Sequence, residues 1–223
     1  STPSKNVDSR GLRGKLLKLL IKFSYSRVFK LIAPSSAIES DIKKFYSIER
    51  KIDVIPNPVD LSKIQRLAME SVDLTFLKGR KFVVVLGRLV KLKGVNDIIQ
   101  AFALIECKET CLLIIGDGEE RAILEKLSIS LGVDSRVFFV GFKPNPYPYL
   151  VKASLYVLAS YYEGMPNSLV QSLLLGIPSI STKSTGDIAS LIGDDAIFEM
   201  NNPSSLSFLM NKFLSSSLIN KQK

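Results

Sequence analysis

Short apolar runs alternate along the chain with stretches in which apolar residues recur every three or four positions. The runs predict buried β-strands, and the recurrent spacing predicts amphipathic helices. The predicted strands cover residues 30–34, 51–55, 81–86, 110–115, 136–140, 155–160 and 178–182. The predicted helices cover residues 14–29, 36–46, 95–106, 119–131, 167–175, 185–192 and 203–216. This alternation is typical of β-α-β units and predicts an α/β fold with a doubly wound parallel sheet.

A stretch rich in proline and asparagine divides this pattern. Residues 56–60 have the sequence Pro-Asn-Pro-Val-Asp, which is typical of a linker. Residues 58–223 are expected to form a nearly self-contained Rossmann-like domain that binds its ligand at the carboxyl ends of the strands. Residues 1–57 hold two predicted strands, too few for an independent domain. We therefore expect residues 1–57 to be the closing segment of a larger domain.

Composition narrows the range of functions. Hydrophobic residues make up 46% of the chain, as in folded globular proteins, and the apolar runs are far too short for a transmembrane helix. The net charge of +9 favours anionic partners, but no motif that reads nucleic acid accompanies it. The chain has no histidine, which excludes an imidazole base and a Ser-His pair within it. We expect Cys107 and Cys111 to be buried thiols of a cytosolic protein.

The most informative stretch follows the predicted strand at residues 155–160. It begins with a tight turn, Glu163-Gly164-Met165-Pro166, which leads to Asn167 as the expected cap of a short helix. The first turn of a helix has backbone N–H groups without intrahelical partners, so it attracts anions. Here these groups belong to Ser168, Leu169 and Val170. Because Glu163 and Gln171 flank them, the stretch predicts a site for a negatively charged ligand that also carries hydroxyl groups.

A second candidate follows the strand at residues 81–86. In Gly87-Arg88-Leu89-Val90-Lys91-Leu92-Lys93-Gly94, Arg88 offers a planar fork of donors and Lys93 a compact charge. Such a pair suits a diphosphate. The alternative is a solvated basic loop, which is the commoner role of exposed cations when this motif is taken alone.

Three further loops follow strands. Gly116-Asp117-Gly118 has the start of a dinucleotide fingerprint, but Arg121 stands where that pattern requires a small residue. We therefore expect a tight strand-to-helix turn that at most supports a neighbouring ligand. Phe142, followed by Lys143, is either a core residue or part of a site for a nucleobase edge. Residues 181–187 line the same cleft or form a capping loop.

Taken in this order, these motifs make the chain resemble the C-terminal half of the retaining GT-B glycosyltransferases of family 4, or glycosyl transferases group 1. That group builds polysaccharides, lipopolysaccharides and glycolipids from nucleotide sugars. The likeness runs from about Leu31 to Phe208. It rests on residues 55–60, 87–94, 116–118 and 140–142 and on the segment from Glu163 to Gln171.

The resemblance implies two Rossmann-like domains facing a cleft, of which the C-terminal one holds a nucleotide-diphosphate sugar. It implies retaining transfer to a glycan or glycolipid acceptor without a cofactor or metal ion. The implied catalytic residues are Glu163, near the donor sugar, and Arg88 and Lys93, which neutralise the diphosphate. The implied donor-binding residues are Gly87, Arg88, Lys93, Gly116, Asp117, Phe142, Lys143, Glu163, Gly164, Met165, Pro166, Asn167, Ser168, Leu169 and Gln171.

Two departures from the family pattern shape these expectations. Gln171 stands where the family has a second acid that holds the ribose hydroxyls, and an amide lacks the charge-assisted strength of a carboxylate. We expect this to cost about 1–2 kcal/mol in donor binding. We expect residues 1–57 to represent only the tail of the acceptor-side domain and the family's final helix to be absent. The chain is therefore expected to be a fragment in which donor binding is firmer than catalysis.

Alternatives remain open. The chain could instead be a non-catalytic nucleotide-sugar-binding or interaction module, or another GT-B-like enzyme such as a sugar-nucleotide epimerase. Residues 13–30 form a basic helix with an apolar stripe, which packs on the rest of the incomplete domain or rests on an acidic membrane surface. The expected location is accordingly the cytoplasm, with peripheral contact at the inner face of the cell membrane as the second possibility.

Overall fold

The computed structural model describes residues 12–184 and 188–219, which fold into two compact units. The small unit contains residues 12–58 together with residues 163–166. The large unit contains residues 59–162, 167–184 and 188–219.

The small unit combines two helices with a two-stranded parallel sheet. Helix α1 spans Leu12–Arg27, strand β1 Ile32–Ala33, helix α2 Ser36–Tyr46 and strand β2 Asp53–Val54. Its buried core consists of Leu31, Ala33, Ile38, Ile42, Tyr46, Ile48 and Ile52, with Ile21 and Tyr25 of α1 packed against it. The Arg50 guanidinium donates hydrogen bonds to carbonyls near the end of α1, including that of Phe29 at 2.9 Å. These bonds satisfy acceptors that a helix C-terminus otherwise leaves unpaired.

The large unit is organised around a six-stranded parallel sheet. Its strands are β3 (Phe82–Leu86), β4 (Cys111–Ile115), β5 (Val137–Gly141), β6 (Leu155–Leu158), β7 (Ser179–Thr182) and β8 (Ile197–Phe198). Along the sheet they lie in the order β5-β4-β3-β6-β7-β8. The chain therefore builds outward from β3 in one direction and then restarts at β6 in the other, as in a doubly wound Rossmann-like sheet. The predicted fold class is confirmed.

Helices surround this sheet. They are α3 (Leu61–Ala68), α4 (Val95–Leu104), α5 (Arg121–Ser130), α6 (Tyr147–Leu150), α7 (Asn167–Leu174), α8 (Ile188–Ile192) and α9 (Pro203–Ile219). Alternate residues of each central strand enter two separate apolar clusters: in β3, Val83 and Val85 join one cluster, and Val84 joins the other. Because both faces are buried, the strands appear in the sequence as continuous apolar runs.

The structure adds elements that the apolar pattern did not predict. Strand β8 has two residues, too few to show a period, and α6 is a single turn. Helix α3 begins after Asp60, whose carboxylate accepts a hydrogen bond from the Lys63 N–H at 2.9 Å. The predicted linker at residues 56–60 thus ends in a helix cap. The predicted helix at residues 185–192 is described from Ile188 onward, since residues 185–187 lie outside the described residues.

The cysteine prediction is wrong for one of the two residues. Cys111 is buried in β4, but Cys107 is exposed. The pKa of the Cys107 thiol lies below its ordinary value, chiefly because Thr110 hydrogen-bonds to it, whereas burial raises the pKa of Cys111. Cys107 follows the end of α4 in a turn, where polar neighbours replace core packing.

Candidate functional site

Six of the predicted donor-binding residues line one cavity in the large unit. The cavity has a volume of about 420 Å³, within the range of small-molecule sites. It lies beyond the carboxyl ends of β3, β4 and β5, and β3 borders the point where the strand order reverses. Ligands bind at this edge of doubly wound sheets. The lining residues are Leu86, Gly87, Arg88, Ile115, Gly116, Asp117, Phe142 and Lys143.

Two glycines bring the loops after β3 and β4 into backbone contact. A Cβ on Gly116, whose φ is +143°, would lie 1.8 Å from the carbonyl oxygen of Gly87. A Cβ on Gly118 would lie 2.4 Å from the carbonyl oxygen of Leu89. The close approach lets the Leu89 N–H donate to the carbonyl of Asp117 at 2.9 Å. The loop that carries Arg88 is therefore held by backbone packing that only glycine permits at these positions.

The Gly116-Asp117-Gly118 motif thus forms the tight turn expected from the sequence. Arg121 begins α5, and its guanidinium donates to the carboxylates of Asp117 at 3.4 Å and Glu125 at 2.9 Å. These carboxylates raise the pKa of Arg121 above its ordinary value, Glu125 contributing most. The Asp117 carboxylate also accepts from the Gly118 N–H at 2.8 Å. The contribution of Asp117 to the cavity is therefore to stabilise the turn that borders it.

Lys93 lies beside the cavity in a 3₁₀ turn that spans Lys91–Lys93. A Cβ on Gly87 would lie 3.8 Å from Cδ and Cε of Lys93, so the lysine side chain runs along the open side of Gly87. The turn ends at Gly94, which has a left-handed φ of +60° and approaches the carbonyl of Ala159 so closely that a Cβ would lie 2.1 Å from it. This glycine joins the loop after β3 to the end of β6.

A hydrogen-bonded pair next to these loops was not predicted from the sequence. Asp97, in the first turn of α4, is 6% exposed, and its carboxylate accepts a hydrogen bond from the Tyr161 hydroxyl at 3.1 Å. Burial and the neighbouring Asp97 raise the pKa of Tyr161 above its ordinary value. The Tyr161 N–H also donates to the carbonyl of Leu92 at 2.9 Å. These two hydrogen bonds of Tyr161 connect the loop after β6 to α4 and to the loop that carries Lys93. No local sequence motif predicts a contact between residues so far apart in the chain.

Phe142 and Lys143 form the side of the cavity that follows β5. The Phe142 ring is 73% exposed, so the alternative that it is a core residue is wrong. Gly141 precedes it with a φ of +72°, where the pairing of β4 and β5 shifts register. Such an irregularity at a strand end re-aims the residues that follow it. An exposed aromatic ring beside an open cavity is suited to stacking on a nucleobase.

Helix α7 begins at Asn167, so this residue is the first residue of the helix. The sequence predicted it instead as the cap that precedes the helix, a difference of one residue. The hydroxyl of Tyr156, a fully buried residue of β6, donates to Ser168 Oγ at 2.8 Å and fixes the first turn on the sheet. Leu169 is fully buried in the core, its backbone included. Gln171 lies one turn farther along, partly exposed.

The segment Glu163–Pro166 belongs to the small unit. Glu163 and Met165 are partly exposed, whereas Gly164 and Pro166 are buried. The carbonyl of Gly164 accepts a hydrogen bond from the hydroxyl of Ser35 at 2.7 Å. Glu163 was predicted from the sequence as a site residue, whereas Ser35 was not.

Comparisons with known proteins agree on one family. The model described as "Glycosyl transferases group 1" matches residues 70–223, and the model described as "Glycosyltransferase Family 4" matches residues 4–63. The chain is 29% identical over 178 residues to an uncharacterized glycosyltransferase of Methanocaldococcus jannaschii, covering 77% of this chain and 44% of that protein.

The chain is also similar to a second curated protein and to a solved structure. One is the N-acetylgalactosamine-N,N'-diacetylbacillosaminyl-diphospho-undecaprenol 4-alpha-N-acetylgalactosaminyltransferase of Campylobacter jejuni, 29% identical, covering 92% of this chain and 56% of that protein. The other is the crystal structure of Anabaena HepE in complex with UDP, which is 19% identical with a TM-score of 0.79 and covers 96% of this chain and 60% of that one. The structural likeness establishes the GT-B type of fold. The chain spans about half the length of the curated relatives it matches.

Proposed function

Because the chain belongs to the glycosyl transferases group 1 family, we propose that it forms the donor-binding part of a retaining glycosyltransferase. Its role in glycosyl transfer follows from the family. The proposal adds that the donor is a nucleotide-diphosphate sugar and the acceptor a glycan or lipid-linked glycan. The observation that carries it is the cavity of about 420 Å³ into which Arg88, Phe142 and Lys143 converge.

In this proposal the cavity holds the nucleotide. Phe142 stacks on the base, and the backbone around Gly116 and Gly141 meets its edge. Arg88 donates in a fork to the diphosphate, and Lys93 adds a second positive charge from the neighbouring turn. Both cations act on the negative charge that develops as the nucleotide departs, and such fixed charges lower the barrier most where charge appears in the transition state.

Glu163 acts on the sugar. Its carboxylate accepts hydrogen bonds from sugar hydroxyls, while the N–H of Ser168 at the start of α7 faces the phosphate side. The acceptor hydroxyl attacks the anomeric carbon on the face that the phosphate leaves and passes its proton to a departing phosphate oxygen. This single-face exchange retains the anomeric configuration. It requires no metal ion, because Arg88 and Lys93 supply the positive charge.

Calorimetry with UDP, GDP and ADP tests the donor site. We expect one of these nucleotides to bind. Arg88→Ala or Lys93→Ala should lower its affinity about 10- to 100-fold, since a hydrogen bond to a charged group contributes about 1.5–3 kcal/mol. Lys126→Ala, which removes an exposed lysine of α5 away from the cavity, is the matched control and should bind as the parent does. If no nucleotide binds, or if the three variants behave alike, the donor site is elsewhere.

A non-catalytic nucleotide-sugar-binding module is the second candidate, and the neutral Gln171 favours it. The two candidates share the calorimetric result and differ in transfer. Release of sugar from the donor, followed in the presence of a lipid-linked acceptor, identifies the enzyme. Tight donor binding without transfer identifies the module.

Peripheral membrane contact through residues 13–30 is a further part of the proposal. The exposed apolar residues of α1 recur on one face, as Leu12, Leu16, Leu19, Leu20 and Phe23, whereas Ile21 and Tyr25 face the core of the small unit. Lys15 and Lys22 are exposed near that face, whereas the Lys18 ammonium lies over the Phe45 ring, 4.3 Å from its centroid. Among the residues that the structure describes, no helix is long and apolar enough to cross a bilayer. Salt-sensitive pelleting with acidic vesicles that is lost on changing these lysines to Gln would support surface contact, and its absence would exclude it.

A further inference from the structure

The hydrogen bond between Ser35 and Gly164 joins two parts of the small unit that lie 129 residues apart in the chain. Ser35 is 5% exposed, and Gly164 is also buried. A buried carbonyl without a donor loses its bonds to water and gains nothing in return. The Ser35 hydroxyl supplies that donor at 2.7 Å.

The same hydroxyl caps helix α2. Ser35 is extended, with φ −156° and ψ 159°, and its Oγ accepts a hydrogen bond from the Ile38 N–H at 3.3 Å. A serine hydroxyl has one proton to donate and lone pairs to accept. Its proton is used on Gly164, and its oxygen is used on the helix. The position of the oxygen is therefore set by the first turn of α2, and Gly164 is fastened to a rigid element.

We propose that Ser35 is a positioning residue that sets the place of the Glu163 carboxylate, an inference that rests on the proposed function. Glu163 precedes Gly164 directly, in a turn whose glycine leaves the backbone many alternative conformations. The bond from Ser35 selects one of them. Small misplacements of a group that contacts the reacting sugar are costly, since about 1 Å can reduce a rate about 100-fold.

The role is distinct from that of Arg88 and Lys93. Those cations contact the diphosphate in the proposed site. Their loss therefore weakens the binding of the free nucleotide and of the nucleotide sugar alike. Loss of the Ser35 anchor displaces only the carboxylate that meets the sugar. The affinity for a nucleotide sugar, divided by the affinity for the free nucleotide, therefore reports on Ser35 and is insensitive to a general loss of stability.

Four variants separate positioning from helix capping. Ser35→Ala removes both the cap and the bond to Gly164, and Ser35→Thr keeps both. Ser35→Asp keeps a good cap, but an ionised carboxylate has no proton to donate to Gly164. Asp60→Ala is the matched control, because Asp60 caps α3 of the large unit through the Lys63 N–H. Unfolding in urea records how much stability each variant loses.

Calorimetry uses UDP, GDP and ADP paired with their glucose esters, and hydrogen exchange follows the amides of residues 163–168 in the ligand-free chain. We expect Ser35→Ala and Ser35→Asp to lower the sugar-to-nucleotide affinity ratio about tenfold and to speed exchange in this segment. Ser35→Thr and Asp60→Ala should leave both quantities at the parent values. An unchanged ratio in Ser35→Ala and Ser35→Asp overturns the inference while the donor site stands, whereas a parent chain that binds none of the probes overturns the proposed function itself.

Discussion

Replacing Gly116 by alanine tests the backbone packing on which the candidate site depends. The new Cβ would lie 1.8 Å from the Gly87 carbonyl oxygen, and an ordinary contact begins at 3.4 Å, so the two atoms must separate by about 1.6 Å. That movement displaces the loop that carries Arg88. The φ of +143° adds strain for any side chain, whatever space is available.

The magnitude follows from two contributions. Left-handed backbone costs an L-residue about 1–2 kcal/mol, and overpacking a rigid site costs about 1–3 kcal/mol. We expect Gly116→Ala to lower the free energy of unfolding by about 2–5 kcal/mol. It should also lower the affinity for the nucleotide at least tenfold, because Arg88 moves with the loop.

Two other glycines separate the contributions. Gly132 has a φ of +66° with nothing within 4 Å of its missing Cβ, so Gly132→Ala measures backbone strain alone. Gly118 lacks the left-handed φ, but its Cβ would lie 2.4 Å from the Leu89 carbonyl oxygen, so Gly118→Ala measures the clash alone.

The assay is urea unfolding followed by far-ultraviolet circular dichroism, since the chain has no tryptophan. Calorimetry with the bound nucleotide accompanies it. If Gly116→Ala loses no more stability than Gly132→Ala and binds the nucleotide like the parent, the contact between the two loops does not hold Arg88, and the reasoning fails.

Three further predictions concern the same region. The pKa of Tyr161 is raised above 10.0, so the stability it contributes is present at neutral pH and is lost as the pH rises through that raised value. The free energy of unfolding should therefore fall above about pH 10, and fall less in Tyr161→Phe; equal pH profiles would exclude the pair with Asp97 as a source. If a ribose hydroxyl is the partner of residue 171, Gln171→Glu should raise the nucleotide affinity measured by calorimetry about tenfold. Weaker binding would mean that repulsion from the diphosphate dominates. Donor binding should be the same with and without a chelator such as EDTA, and a loss of affinity on chelation would contradict the metal-independent site.

Much of the fold was predictable because the sheet is buried on both faces. Continuous apolar runs such as those of β3 and β4 stand out from any neighbouring sequence, and so do the glycines that follow them. The loops at the carboxyl ends could therefore be named as site candidates before their geometry was known. Elements that lack a period, such as the two-residue β8, could not be found in this way.

What the sequence determined by itself is the α/β alternation, the parallel sheet and the cationic and glycine residues at its carboxyl edge, because periodicity and turn chemistry are local properties of the chain. Only the tertiary structure decided which loops touch. The Tyr161 hydroxyl meets Asp97 across 64 residues, and Ser35 meets Gly164 across 129. Of the two alternatives for Phe142, the core position was excluded only when its exposure was known. Such pairings follow from strand order and backbone approach, which set distances that no local pattern encodes.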